Sequence, residues 1–287
     1  MGIHKKLIWL FLLIALVPLS LLGFSSYLII KSSTRQLVLD HLESIASLQK
    51  DKVENFIQHN LSKLSLVTSR TQLRISLNRY LENADSAELR RIEKILRDAQ
   101  NSIGAFKEIS IISPEGIIRA STNPDFRGED VSETNAFTRG TRKNTVDFFY
   151  VEKGPSLFGY LSGPLYLEAR LIGVVLIDID VNKVFPILIS YTALGETGDV
   201  LLVKRDTNGD ALFLNPPRFG SALRIDRETM ETRPTPVFYA LSEKERLLPE
   251  SVDYRGKPVV ASTKYIEAAD WGQIGRASCR ERVYHRV

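Results

Sequence analysis

Six polar side chains in an otherwise apolar setting are the ones that can do chemistry. Asp178 falls near the end of the run Arg-Leu-Ile-Gly-Val-Val-Leu-Ile-Asp-Ile, residues 170–179. Strand alternation puts it on one face with Val174 and Leu176. A carboxylate there either meets a bound molecule in a pocket or caps the strand end in solvent. Arg139 and Arg142 lie in a polar loop upstream. Their planar guanidinium forks are suited to holding a carboxylate, or they remain solvated. Tyr150, Tyr160 and Ser162 offer hydroxyls from neighbouring strands, or simply pack. These residue types suit binding rather than bond cleavage.

Catalytic and metal-binding groups are scarce. The four histidines are His4, His41, His59 and His285. None falls in the part of the chain expected to be globular, so histidine acid–base chemistry and a histidine metal site are not expected. Cys279 is the only cysteine, which excludes a disulfide framework. There is no Walker loop and no G-x-S-x-G elbow. Asp206-Thr-Asn-Gly-Asp210 is like the opening of a calcium loop, but Ala211 and Pro217 stand where that loop needs glycine and glutamate, so it reads as a hairpin turn. No catalytic residue, metal or cofactor is expected. An acidic dyad of Asp178 and Asp180 is the remaining enzymatic reading, and a coiled-coil anchor is the structural one.

The elements that would position these residues are legible in order. Residues 7–30 carry no charge, enough to cross a hydrocarbon core of about 30 Å. They read as a transmembrane signal anchor behind a short basic cytoplasmic segment, residues 1–6. A cleaved signal peptide, with Gly23 and Ser25 near its cleavage site, is the rival. Val38, Leu42, Ile45, Val53, Phe56, Ile57, Leu61, Leu64 and Val67 then form an apolar stripe. A continuous helix from Lys31 to Leu77 would be about 70 Å long. It would pack along a domain, and part of it would pair two subunits into a homodimer. Asp85 with Glu88 predicts a capping box opening a second helix, with Gly104 ending it.

Strands follow at 109–112 and 117–121 around the turn Ser113-Pro-Glu-Gly116, then at 148–151, 157–162, 165–167 and 171–179. After a glycine turn at 195–198, the strands 200–204 and 211–214 flank Asn208-Gly209. A short helix at 237–241, a strand at 259–265 and the start of another at 268–272 complete an α+β pattern. The net charge is +4, but arginines crowd the last fourteen residues, so no nucleic-acid partner is expected.

The passage Gly-Val-Val-Leu-Ile-Asp-Ile-Asp-Val-Asn-Lys-Val, followed by Leu-Gly-Glu-Thr-Gly-Asp-Val-Leu-Leu-Val, resembles the junction between the two modules of a double Cache sensor domain. Asp253-Tyr-Arg-Gly-Lys-Pro-Val-Val-Ala261 and Asp270-Trp-Gly272 are similar to that family's end. The resemblance covers residues 31–272. It implies two PAS-like antiparallel modules, a distal one at about 78–190 and a proximal one at about 195–272. It also implies an extracytoplasmic (periplasmic) small-ligand sensor on the inner membrane, in contact with the lipid bilayer. The wording of the proximal module is most like sensor histidine kinases; diguanylate cyclases and chemoreceptors remain alternatives. It places Asp178 where such domains often meet a ligand amine. The amino-acid-binding members carry a Tyr, Arg, Trp-Tyr signature, and the only tryptophans here are Trp9 and Trp271, so recognition of that type is not expected. The run Gln273–Val283 resembles a translated sequencing adapter, which implies that residues 273–287 are an appended tail and that the proximal module lacks its last strand.

Overall fold

The computed structural model describes residues 3–150, 157–180, 194, 198–219, 224–232 and 235–278. The chain opens with one long helix, α1 (Ile3–Thr68), about 100 Å at 1.5 Å per residue. Its first part exposes Trp9, Phe11, Leu13, Leu16, Leu19 and Phe24. No helix among the described residues is long and apolar enough to cross a membrane; several side chains of the expected span, at positions 7, 8, 10, 12, 14 and 15, lie outside that description. The second part buries Leu42, Ile45, Val53, Ile57, Leu64 and Val67 of the predicted stripe together with Leu39, while Val38, Phe56 and Leu61 are partly buried.

The expected helix from Lys31 to Leu77 is interrupted. α1 stops at Thr68, Arg70 is extended (φ −63, ψ 108), and α2 (Thr71–Asn83) begins anew. The cause is local. The hydroxyls of Ser65, Thr68 and Ser69 bond back to carbonyls in the preceding turn, the competition that weakens a helix end. The Arg74 guanidinium then takes the Ser69 carbonyl and the Thr71 hydroxyl. α3 (Ser86–Ser102) starts as predicted, with the Asp85 carboxylate accepting from the Ala87 amide at 2.8 Å. The reciprocal arm of the capping box is replaced: Glu88 pairs with Arg91 and Arg79.

The first sheet has β1 (Phe106–Ile112), β2 (Ile118–Ser121), β3 (Thr145–Tyr150), β4 (Leu157–Leu167) and β5 (Arg170–Ile179), in the order β2-β1-β5-β4-β3. All its pairings are antiparallel. Alternation divides its faces. Ile109, Ile111, Val146, Phe148, Leu161, Val175, Ile177 and Ile179 join the main core with residues of α1, α2 and α3. The opposite face carries a smaller apolar cluster of Ile112, Ile118 and Val174 under Phe137 of α4 (Asn135–Gly140).

The second sheet has β6 (Asp199–Arg205), β7 (Ala211–Phe213), β8 (Arg224–Ile225), β9 (Arg246–Val252), β10 (Pro258–Ile266) and β11 (Trp271–Ser278), in the order β8-β7-β6-β11-β10-β9. Gly209 (φ +86) makes the predicted β6–β7 turn. The turn expected at 195–198 lies mostly outside the described residues. One face packs on α1 through Val200, Leu202, Val260, Ile266 and Trp271. The other is covered by α5 (Arg227–Thr232) and α6 (Pro236–Ala240), the short helix expected near 237–241, through Met230, Val237 and Ala240.

The expected loss of the last strand does not hold. β11 lies inside the sheet, paired with β6 and β10 as far as Ser278, within the stretch expected to be an appended tail. Strand pairing is made by the main chain, so a continuation past Gly272 needs only extended backbone and a side-chain pattern that fits. Ile274 points into the apolar cluster. Arg276 joins the buried carboxylates of Asp199 (2.9 Å) and Asp253 (2.8 Å). Residues 279–287 lie outside the described residues.

Candidate functional site

Cross-strand register builds the site. On the sheet face away from α1, α2 and α3, Asp147 of β3 opposes Tyr160 of β4, Tyr160 opposes Asp178 of β5, and Asp178 opposes Glu108 of β1. Directly opposed residues share a face, so four strands contribute one row: Asp147, Tyr160, Asp178, Glu108. The next row is Thr145, Ser162, Leu176, Ser110 and Ser121, in which the hydroxyls of Ser110 and Ser121 bond at 2.9 Å. The row beyond is apolar: Pro164, Val174, Ile112 and Ile118. On the other side of the acidic row, Phe149 and Phe158 stack with ring centroids 5.9 Å apart. Both are about 40% exposed, which leaves an aromatic rim open to solvent. The face therefore grades from aromatic through acidic and hydroxylic to apolar.

Asp178 is the perturbed acid of this face. Burial raises its pKa from 3.8 to about 6, and the negative charge of Glu108 adds to the rise while Lys107 opposes it. Tyr160 is 4% exposed, and its hydroxyl has no hydrogen-bond partner among the described residues. Burial, then the adjacent Asp147 charge, pushes its pKa up. Asp147 is buried and satisfied: it accepts from the Phe148 amide at 2.8 Å, from Lys204 at 2.6 Å and from Arg139 at 3.4 Å. Lys204 belongs to β6, so the second sheet reaches into the first sheet's site.

Of the six residues singled out in the sequence, the structure unites three directly. Tyr160 and Asp178 are cross-strand partners, and Arg139, at the C-terminal end of α4, reaches the same row through Asp147. Ser162 is on the right face but fully buried, its hydroxyl without a partner among the described residues. α4 sits directly upon it: a Cβ on Gly140 would lie 2.9 Å from the Ser162 hydroxyl and 2.8 Å from Val174. Arg142 follows α4 and is exposed, so it is not brought to the row. The side chain of Tyr150 lies outside the described residues. Among the described residues no cluster of His, Cys, Asp and Glu is arranged to hold a metal ion.

Sequence reasoning missed Asp147, Glu108 and Lys204. Asp147 carried a signal, an acid between Val146 and Phe148 in a strand otherwise rich in apolar residues. Lys204 had none, since a lysine ending a strand reads as a solvated charge.

A second charged group lies where α1 meets the second sheet. Lys264, 9% exposed, contacts Glu43 of α1 at 2.5 Å and Glu245 at 3.4 Å, and Lys50 of α1 also holds Glu245, at 2.7 Å. Burial pushes Glu43 up, but bonds from Lys264 and Ser262 outweigh it and hold the carboxyl below its usual range.

The fold has solved counterparts. The ligand-binding domain of the Campylobacter jejuni chemoreceptor Tlp3 in complex with L-norvaline superposes with a TM-score of 0.58 at 14% identity, over 90% of this chain and 98% of that one. The ligand-binding domain of Mlp24 with asparagine gives 0.59 at 13% identity, over 86% and 95%. The V. cholerae histidine kinase DctB sensor domain gives 0.52 at 13% identity, over 90% and 100%. No curated protein matches the sequence. The Cache domain pattern dCache_1 matches residues 30–283, nearly the whole chain, and the chain belongs to the Cache domain family.

Proposed function

We propose that this chain is the extracytoplasmic input region of a transmembrane signal transducer, and that its distal module senses a small molecule bearing an amino group. The observation that carries the reading is the row Asp147, Tyr160, Asp178, Glu108, beside an exposed aromatic pair. Asp178 is the anchor: an ammonium beside it repays the cost of keeping its charge buried. Phe149 and Phe158 offer π-faces to the same cation. The hydroxyl and apolar rows accept the remainder of the molecule. Arg139 and Tyr160 complete the site, with Ser162 and Arg142 as outer residues that a shift of α4 would admit.

The uncharged run 7–30 anchors the chain in the inner membrane with the sensor outside, and α1 joins that anchor to both sheets. The exposed Leu37, Leu48 and Leu66 of α1 mark the face for a homodimer. The output is a histidine kinase, with cyclase and chemoreceptor outputs as the alternatives, and residues 273–287 are appended sequence. Reading the native gene across the codon for Gly272 tests both last points. Calorimetric titration of the purified full chain with primary amines and amino acids tests the site. Saturable binding that Asp178→Asn abolishes is the expected result; binding unchanged in that variant refutes the assignment.

A further inference from the structure

The acidic row is asymmetric in charge. At its β1–β5 end stand Glu108 and Asp178, a pair without an arginine or lysine in ion-pair contact among the described residues. At its β3 end the single carboxylate of Asp147 is shared by two cations, Arg139 and Lys204. A lysine ammonium has three donors and a guanidinium five, and each of these spends one on Asp147, so both retain capacity for another anion. One end of the row is thus net negative and the other net positive. Asp178 and Asp147 are two strands apart, about 10 Å at a strand spacing of ~4.8 Å, and Glu108 lies one strand beyond Asp178. The Tyr160 hydroxyl stands between them, buried and unpartnered among the described residues.

Resting on the reading of the distal module as an amine site, we infer that its ligand is an ω-amino acid: the ammonium at Asp178 and Glu108, the carboxylate at Arg139 and Lys204, and a short methylene chain across Tyr160. Allowing a hydrogen-bond length at each end, roughly three to five methylenes span the gap. An α-amino acid carries its two charges on adjacent carbons and reaches only one end of the row. Lys204 is therefore a ligand-contacting residue supplied by the proximal module, and the distal site is incomplete without it.

Isomers make the test clean, because they differ only in charge separation. The full chain is titrated with 2-, 3- and 4-aminobutyrate, with norvaline and 5-aminovalerate, and with n-butylamine. The 4- and 5-amino isomers should bind at least about tenfold tighter than their 2-amino counterparts, the scale of one added charge-assisted contact. Lys204→Met should erase that preference while n-butylamine binding persists. The double variant Asp147→Asn with Lys204→Met removes both partners, leaves no buried carboxylate exposed to the loss of its lysine, and should behave the same way. If all isomers and n-butylamine bind alike, or the 2-amino isomers bind best, the charge-separation inference falls and the amine site stands. If none of the probes binds, both fall.

Discussion

Replacing Asp178 by asparagine should stabilise the protein at neutral pH and leave it unchanged in acid. The folded-state pKa is raised, from 3.8 to about 6, so between those values the native state holds a proton that the unfolded chain has released. Stability conferred on the acid form is therefore present below pH 4 and lost as the pH rises through 6. At about 1.36 kcal/mol per pH unit, the loss is up to about 3 kcal/mol by pH 7.5. Asparagine keeps the shape and never ionises. Urea melts of both proteins between pH 3 and pH 8 should coincide at the acid end, diverge progressively from about pH 4 and level off above about pH 6, with the variant more stable by up to that amount. Burial is the first cause and Glu108 the second, so Glu108→Gln should shrink the divergence without abolishing it. A ligand ammonium needs the ionised carboxylate, so affinity should drop about tenfold per pH unit below 6. An Asp178→Asn protein less stable at pH 7.5, or a difference independent of pH, would refute the placement of this acid in a desolvated site.

Three further outcomes follow from the packing. At the α1–β10 contact Lys264 is the buried member and Glu43 and Glu245 are about 40% exposed. Lys264→Met should therefore cost only about 1 kcal/mol, whereas Glu43→Gln with Glu245→Gln strands a buried cation and should cost more; denaturant midpoints decide the order. Trp271 is fully buried against Phe148, with ring centroids 5.1 Å apart, so Trp271→Ala should cost about 3–5 kcal/mol, read from the same melts. The β4–β5 turn puts Glu168 (φ 51) and Ala169 (φ 65) in the left-handed region. Asn-Gly suits such a turn, and Glu168→Asn with Ala169→Gly should raise the melting temperature, by about 1 kcal/mol of stability.

Much of this fold was legible because its cues are local. The strands 109–112 and 171–179 announced themselves through short runs rich in Val and Ile, and Asp85 and Asn208-Gly209 through chemistry that fixes a helix start and a turn. Strands β8 and β9 were missed. β9 runs Arg-Leu-Leu-Pro-Glu-Ser-Val, half exposed at the sheet edge, and a proline inside so short and polar a run gives no clear strand signal. The site was legible only in part for a different reason. Asp178 and Tyr160 reveal themselves as polar groups on apolar strands. Their being neighbours depends on register across strands far apart in sequence, which no local pattern encodes. Lys204 is harder still, since its role depends on how two separately patterned sheets meet.

That meeting explains why a site built mainly on one sheet has consequences for the whole chain. β3 is the edge of the first sheet, and it touches the second sheet twice, through Asp147 with Lys204 and through Phe148 with Trp271. Lys204 and Trp271 are themselves cross-strand partners in β6 and β11. β11 pairs with β10, whose Lys264 holds Glu43 of α1. Leu64 of the same helix packs against the first sheet beside Gly163. The two sheets and the helix thus form a closed loop of contacts. A ligand that takes up the spare hydrogen bonds of Lys204 changes a contact belonging to both sheets, and close-packed interiors answer such a change by a discrete repacking rather than by continuous deformation. The helix is the member of the loop that extends beyond it, toward residue 30, so a displacement generated at β3 has one long rigid element along which to leave.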